Sequence, residues 1–576
     1  MTSGCKWVYN NRCDIFVIFC EVTSMVKNYL KMLRGEFAGY NASKLVKDLL
    51  AGLTVAAVAL PLALAFGVAS GASAAAGLIT AIIAGIVISA LSGASFQISG
   101  PTGAMSAVLI TIAANEAIGL NGVFVVCIIA GIILLVCGIF KLGKLVSLIP
   151  RPVITGFTSG IAVIIALGQV DNFFGTVSKG ESAIDKLISY GSLGFKPHLW
   201  TVLLGLIVVV IMIVWPKKWN AKVPSSLVGI IVSTVIYVIF RFDGVATVGE
   251  IPKTLFLDER LSLSGINIDM LTTLLPSAIT VAALGMIESL LCGASASRMK
   301  NEPFDANIEL VGQGVGNILI PLFGGVPATA AIARTSVAIK SGAQTRLTGI
   351  FHALWLLAAM FLLGGVMALV PMSALGGVLI VTAWRMNEWH AIKYMFKKKF
   401  VGAILQFLIT MVATVVFDLT VAIIIGIVFS LMVFVKNAAH LEVSLAKVDA
   451  NRLASRGTLG EGHDNSVVVY VTGDLFFANI GKLSAKLGET DEYDEVIVSL
   501  RGVPDIDITS VETLEEWARE LRSNSRRAIF CGMNEAVEKV LRRSGMCDEL
   551  GDDSFFASID KALMADANNR SADGQN

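Results

Sequence analysis

Charge is what this chain has least of. Only 15% of its 576 residues are Asp, Glu, Lys or Arg, and they nearly cancel at a net +1. A strongly basic nucleic-acid binder is thereby excluded, and no nucleic-acid partner is expected. Histidine is scarce as well, with five scattered copies that do not read as ligands. The eight cysteines (Cys5, Cys13, Cys20, Cys127, Cys137, Cys292, Cys531 and Cys547) contain no CxxC pair. Neither a metal centre nor a disulfide framework is therefore expected. Phosphate-loop and nucleophile-elbow spacings are missing too, so no cofactor and no enzymatic step are expected.

Apolar sequence fills the space that charge leaves. Hydrophobic residues make up 55% of the chain and the mean hydropathy is +0.75, which marks a polytopic membrane protein. Fourteen apolar spans are drawn near 46–69, 72–91, 98–114, 122–140, 152–170, 198–215, 224–241, 271–294, 309–322, 327–340, 346–370, 372–386, 400–417 and 419–436. Basic residues cluster before the first span (Lys27, Lys31, Arg34, Lys44, Lys47) and recur in nearly every second loop, down to the run Lys397–Lys399. That asymmetry predicts cytoplasmic N- and C-termini in a multi-pass cell-membrane protein embedded in the lipid bilayer.

Domain organisation follows from shifts in composition. Residues 1–45 form a cytoplasmic N-terminal region, of which 1–24 look like an over-called start before Met25; residues 46–438 form the transmembrane domain. A linker is expected over 439–465 and a soluble domain over 466–565, with 566–576 as a disordered tail. In the soluble domain, buried strands at 466–472, 495–500 and 527–531 alternate with helical spacing at 479–488, 509–523 and 534–544. Strands alternating with helices predict an α/β fold.

Two segments carry the functional signal, Gln97-Ile-Ser-Gly-Pro-Thr-Gly-Ala104 and Gly324-Gly-Val-Pro-Ala-Thr-Ala-Ala-Ile-Ala-Arg-Thr-Ser336. Each begins a helix inside apolar sequence, with Gly and Pro at its start. A helix from Pro101 to near Ala114 would be roughly 20 Å long, too short for a core of about 30 Å. The segments lie in spans three and ten, and an odd number of spans per repeat inverts the second copy. Fourteen transmembrane segments arranged as 7+7 inverted repeats are therefore expected, with two half-helix amino ends facing each other near the midplane. Free N–H groups and positive dipole ends suit an anion. Arg334 is expected about two turns into its helix, deep in hydrocarbon.

These same residues resemble the SulP (sulfate permease) family. The resemblance rests on Leu53-Thr-Val-Ala-Ala-Val-Ala-Leu-Pro-Leu-Ala-Leu-Ala-Phe-Gly67, Ile98-Ser-Gly-Pro-Thr-Gly103 and Phe323-Gly-Gly-Val-Pro-Ala-Thr-Ala-Ala-Ile-Ala-Arg-Thr335, while residues from Ser466 to about Ala565 are similar to its C-terminal STAS domain. It implies core and gate domains, a homodimer, elevator-like movement, and substrates among sulfate, bicarbonate, chloride and dicarboxylates. The family's sodium-dependent bicarbonate carriers have aspartate where this chain has Glu288 and a small residue where it has Arg334. The match around Arg334 is closer to proton-coupled dicarboxylate and sulfate carriers, so a co-transported proton is expected ahead of sodium.

Glu288, inside span eight, is the expected proton-coupling carboxylate; the bland alternative is a static ion pair with Arg334. Arg334 offers five donors to sulfate or carboxylate oxygens. Small Ala330, Ala331 and Thr335 allow close backbone approach, or alternatively tight helix packing. Ser99, Thr102 and Gly103 supply the opposing amino end. Pro61 is expected to kink span one, Gln313 or Asn317 to face the same cavity, and Asp418 to cap a helix. In the soluble domain, Val503-Pro-Asp-Ile-Asp-Ile-Thr509 resembles the STAS loop that carries a phosphorylated serine in some bacterial regulators, but Ile508 follows Asp507 here. Thr509 or Ser510 is expected to cap a helix. The expected function is secondary active anion transport, with sulfate ahead of C4-dicarboxylate and then bicarbonate. The rival is an anion channel or sensor whose STAS domain signals to a cytosolic protein partner.

Overall fold

A computed structural model describes residues 13–115, 118–144, 150–179, 183–216, 219, 223–262, 267–417, 419–448 and 465–564. The chain divides into two compact units, Met1–Val428 and Phe429–Asn576. The expected disordered tail and Asp418 lie outside the described residues.

Each of the fourteen drawn spans overlaps a helix, and thirteen of these helices lie within the first unit. Among the described residues, six helices are long and apolar enough to cross a membrane: Ala42–Ala69, Ala74–Leu91, Gly119–Ile139, Arg151–Phe174, Ile268–Lys300 and Leu347–Met367. Leu199–Val214, Ser225–Phe240 and Val401–Val416 are shorter apolar helices. Pro61 sits inside Ala42–Ala69 without ending it. Helices outside the drawn set also appear, among them Cys13–Glu36, Ala183–Leu193 and Trp389–Lys397.

Small residues decide how the helices meet. A Cβ at Gly314 would lie 2.6 Å from Leu135 N, and one at Gly77 only 2.0 Å from Ala63 O. Backbones this close are the small-residue packing of membrane interiors, where apolar burial alone gives little preference between neighbours. The resulting contacts sort the helices into two sets. Helices from spans one to four pack mainly against those from spans eight to eleven. Those from spans five to seven pack mainly against spans twelve and thirteen. Each set draws on both halves of the sequence.

At the centre of the first set lie two very short strands, β1 (Ser99–Gly100) and β2 (Thr329–Ala330), paired antiparallel.

The second unit has a five-stranded sheet, ordered β3 (Glu442–Lys447), β4 (Ser466–Thr472), β5 (Glu495–Gly502), β6 (Arg527–Cys531) and β7 (Phe555–Phe556). Pairings from β4 to β7 are parallel and β3 is antiparallel to β4. Helices Ile480–Gly488, Ile508–Ser523 and Glu535–Ser544 join the strands as expected. Val469, Val498 and Phe530 are fully buried in the core beneath them.

Two expectations are corrected here. Residues 442–447 form an edge strand, not linker; their alternating polar and apolar pattern suits a strand buried on one face. The cap of Ile508–Ser523 is Asp507, whose carboxylate accepts from Ser510 N at 2.9 Å, so neither Thr509 nor Ser510 has that role.

Candidate functional site

Proline sets the site's backbone. Pro101 and Pro327 lack an N–H and push Gly100 and Val326 away from the α region, so neither helix can extend back past its proline. Both stretches run extended instead. Ser99 pairs with Ala330 and Gly100 with Thr329, and Ala331 N donates to Ile98 O at 3.1 Å. Because the ladder is antiparallel, the chain leaves it in opposite directions, into Gly103–Ala113 and Ile332–Lys340. The helices therefore begin later than the expected Pro101 and 327, and span only 11 and 9 residues. Neither N-cap, Thr102 or Ala331, makes a side-chain cap bond. The first-turn N–H groups of both helices are thus left uncapped by side chains.

Four polar side chains brace this irregular backbone. Thr80 Oγ1 accepts from Val326 N at 2.7 Å and donates to Val326 O at 2.9 Å, with Ala76 O a second acceptor nearby. Asn317 accepts from Ala328 N at 2.8 Å and donates to Ala328 O at 2.9 Å. Ser289 Oγ lies 2.8 Å from Thr329 Oγ1, while Gln313 Nε2 donates to Ser99 Oγ at 2.9 Å. Gln313 and Asn317 are thereby committed inside the protein at 0% and 2% exposure, rather than facing an open cavity. Thr80, Ser289 and Glu309, the last bonded to Gln313, were not singled out from the sequence. Glu309, Gln313 and Asn317 recur every four residues in an apolar helix, and that polar stripe was the available signal.

Arg334 is the third residue of its helix, not two turns in, because the helix starts at Ile332. It is 2% exposed. Nη2 donates to Pro101 O at 3.0 Å, reaching across from one half-helix to the entry of the other. Nη1 has no hydrogen-bond partner. A Cβ at Gly100 would come within 2.4 Å of Nη1, so glycine there makes room for the guanidinium. Ala331 is half-buried, and Ile332 and Ala333 are exposed, so this amino end is open on one side.

Glu288 lies in Ile268–Lys300 and is half-buried. Thr102 Oγ1 donates to its Oε2 at 2.9 Å, which turns that hydroxyl away from capping its own helix. No ion pair within 4 Å joins Glu288 to Arg334 among the described residues, so a direct staple between spans eight and ten is absent. Thr335 Oγ1 accepts from Ile98 N at 3.1 Å and from Cys292 Sγ at 3.4 Å. Gly103 packs against Phe66 and Ile165. Thus Ser99, Thr102, Gly103, Ala330, Ala331, Arg334, Thr335 and Glu288 all gather around one ladder. Among the described residues, no group of three or more His, Cys, Asp or Glu is arranged to hold a metal.

Comparison with known proteins agrees with this architecture. Residues 45–413 match the model of the sulfate permease family, and residues 460–562 match the STAS domain. YvdB of Bacillus subtilis, provisionally named a sulfate transporter, is 33% identical over 92% of this chain and 99% of its own length. The bicarbonate transporter BicA of Synechocystis is 30% identical, covering 86% of this chain and 90% of its own. The solved transmembrane domain of a cyanobacterial BicA covers 67% of this chain and 98% of its own, at 32% identity and a TM-score of 0.62. The overall structure of SLC26A9 covers 99% of both chains with a TM-score of 0.79, but at 17% identity it speaks for the fold alone.

Proposed function

The chain belongs to the sulfate permease family of membrane anion transporters, and we propose that it is a proton-coupled carrier, by symport or exchange, of sulfate or a C4-dicarboxylate. One observation carries the reading: two uncapped helix amino ends converge on an antiparallel ladder beside a buried guanidinium with one unpartnered nitrogen. Dipole ends and free N–H groups favour negative charge, and Arg334 Nη1 supplies a further charged donor. Ser99, Thr102, Gly103, Ala330, Ala331, Arg334 and Thr335 form the substrate site in this reading.

Thr102 and Glu288 supply the coupling. Facing the carboxylate, the Thr102 hydroxyl spends its one hydrogen on Glu288. A proton arriving on Glu288 lets the carboxyl donate to Thr102 Oγ1 instead. The threonine hydrogen then turns toward the anion, so proton and anion enter together. The loaded site crosses the membrane by an elevator-like shift of the first helix set against the second, in a homodimer with cytoplasmic termini. Coarse support for that movement is the division of helices into two packing sets. The STAS domain is left for cytosolic protein contacts.

Uptake of radiolabelled sulfate, succinate and bicarbonate into proteoliposomes, at two pH values with and without sodium, tests the reading. Saturable uptake against a gradient, stimulated by an inward proton gradient and abolished by Arg334→Ala, is expected. Glu288→Gln should remove the pH dependence. Purely dissipative flux would instead support a channel. The relatives named for bicarbonate make that anion the alternative substrate, and sodium-dependent bicarbonate uptake would replace the proton-coupled reading.

A further inference from the structure

We propose that the helix Cys13–Glu36 is an interfacial helix whose exposed cations bind anionic lipid headgroups. Two clamps fix its depth. The Tyr29 hydroxyl donates to Ala90 O in the last turn of Ala74–Leu91. Glu36 Oε1 accepts from Arg346 N at 2.6 Å and Glu36 Oε2 from Arg346 Nε at 2.9 Å, and Arg346 is the N-cap of Leu347–Met367. Both gripped helices are long and apolar enough to cross a membrane, and each is held at one end. The helix that grips them therefore lies where those spans leave the bilayer.

The same clamps fix its rotation. Tyr29 and Glu36 are about two turns apart and so share one face. The Arg346 guanidinium also lies over the Tyr29 ring, 5.3 Å from its centroid. At about 100° per residue, Val22, Val26 and Leu30 fall roughly 20–100° around from Tyr29. Arg34, Lys27 and Lys31 fall roughly 140–200° around, opposite the clamp. Val26 and Leu30 are 49% and 48% exposed, and all three cations are exposed. From Val22 to Glu36 the sole acid is Glu36 itself, which Arg346 already holds.

An exposed apolar stripe beside a cationic face is costly in water and suited to the membrane interface. There the stripe enters the acyl boundary and the cations meet phosphates. The stripe is close to lipid-facing sequence, because Ala42–Ala69 begins only a short turn later. Leu45, Val46 and Leu49 in its first turns are exposed as well. Charge complementarity selects the class of lipid. Each Lys or Arg near an anionic surface is worth about fivefold in affinity, a gain that zwitterionic headgroups do not give and that salt screens.

Two measurements on full-length protein test the proposal. In the first, the native cysteines are replaced and a spin label is placed at Leu30→Cys, in nanodiscs of phosphatidylcholine mixed with phosphatidylglycerol. The label should collide with oxygen, which partitions into lipid, more than with a water-soluble nickel chelate. Dominant collision with nickel would put the stripe in water, and little collision with either would put it under protein, such as an acidic partner. Both results overturn the proposal. In the second, phosphatidylglycerol is titrated into the detergent-solubilised protein with its native cysteines, reading the unfolding midpoint. The wild type should be stabilised more than by phosphatidylcholine. The triple variant Lys27→Gln, Lys31→Gln, Arg34→Gln should need about tenfold more phosphatidylglycerol or more for the same rise, with its midpoint in phosphatidylcholine unaltered. An equal response in variant and wild type, or full replacement of the lipid by inorganic phosphate, overturns the proposal. The titration decides even if the cysteine-free protein does not fold.

Discussion

Arg334 and Pro101 are 233 positions apart in sequence, yet the guanidinium Nη2 of one sits 3.0 Å from the carbonyl oxygen of the other. That bond ties the start of one half-helix to the entry of its counterpart. It also places the charge beside the ladder instead of on the lipid face, where an isolated arginine costs at least about 2.5–3.5 kcal/mol.

Gly100→Ala is expected to disable the site without unfolding the protein. The added methyl would lie 2.4 Å from Arg334 Nη1, and the guanidinium is the movable partner. Uptake kinetics should show KM raised about tenfold or more, as for loss of a charged hydrogen bond, while the unfolding midpoint shifts little. An unchanged KM would mean that Arg334 does not touch the substrate.

Thr102→Ser should transport nearly as well as the wild type, because it keeps the hydroxyl that donates to Glu288 at 2.9 Å. Thr102→Val keeps the shape and loses the donor. Its maximal rate of proton-driven uptake should fall about tenfold or more, whereas anion counterflow without a proton gradient should fall less. Equal losses in both assays would separate Thr102 from coupling.

Stability away from the ladder depends on a buried ion pair. Arg346 Nη2 lies 2.8 Å from Glu36 Oε2, with the side chains 4% and 6% exposed. Arg346 Nη1 also donates to Ala90 O at 2.9 Å and Ser92 O at 3.2 Å. Removing the cation leaves a buried carboxylate uncompensated, so Arg346→Ala should cost about 3–5 kcal/mol. Arg346→Lys should fall between it and the wild type, since lysine cannot make the forked contact. Thermal unfolding in detergent measures both.

Alkaline pH should loosen the same end of the fold. Burial first, then the bond to Asp48, pushes the Tyr40 hydroxyl up to about 12 from an ordinary value near 10. A group that holds its proton more tightly when folded contributes stability fully below the unfolded value, and loses it as pH rises through the folded one. The unfolding midpoint should therefore decline between roughly pH 10 and 12. In Tyr40→Phe that decline should be shallower, from a lower starting midpoint, because the 2.9 Å bond to Asp48 is gone.

Asp48→Asn should be damaging at neutral pH. The carboxylate accepts from Tyr40 and Thr348 hydroxyls, from Gln344 N, and from both the N–H and hydroxyl of Thr345. An amide that keeps its oxygen toward the Gln344 and Thr345 N–H groups forces the Tyr40 and Thr345 hydroxyls to turn from donors into acceptors, and the charge that strengthens all five bonds is lost, costing about 1–3 kcal/mol. A wild-type midpoint would contradict this.

By itself the sequence determined the membrane class, the helix positions, the two broken segments and the alternating strands and helices of the C-terminal unit. Those properties are local: apolar runs, proline and glycine punctuation, and periodicity all act within a few residues. Only tertiary structure decided what depends on distant partners. Arg334 became a first-turn residue because Pro327 and the pairing with Ser99–Gly100 delayed its helix. Residues 442–447 became a strand because β4 supplied an edge to pair with. Glu309 found its partner only once Ser92, 217 positions earlier in the chain, came within reach of its helix. Hydropathy records which segments leave water; it does not record which buried polar groups meet there, and those meetings set the chemistry.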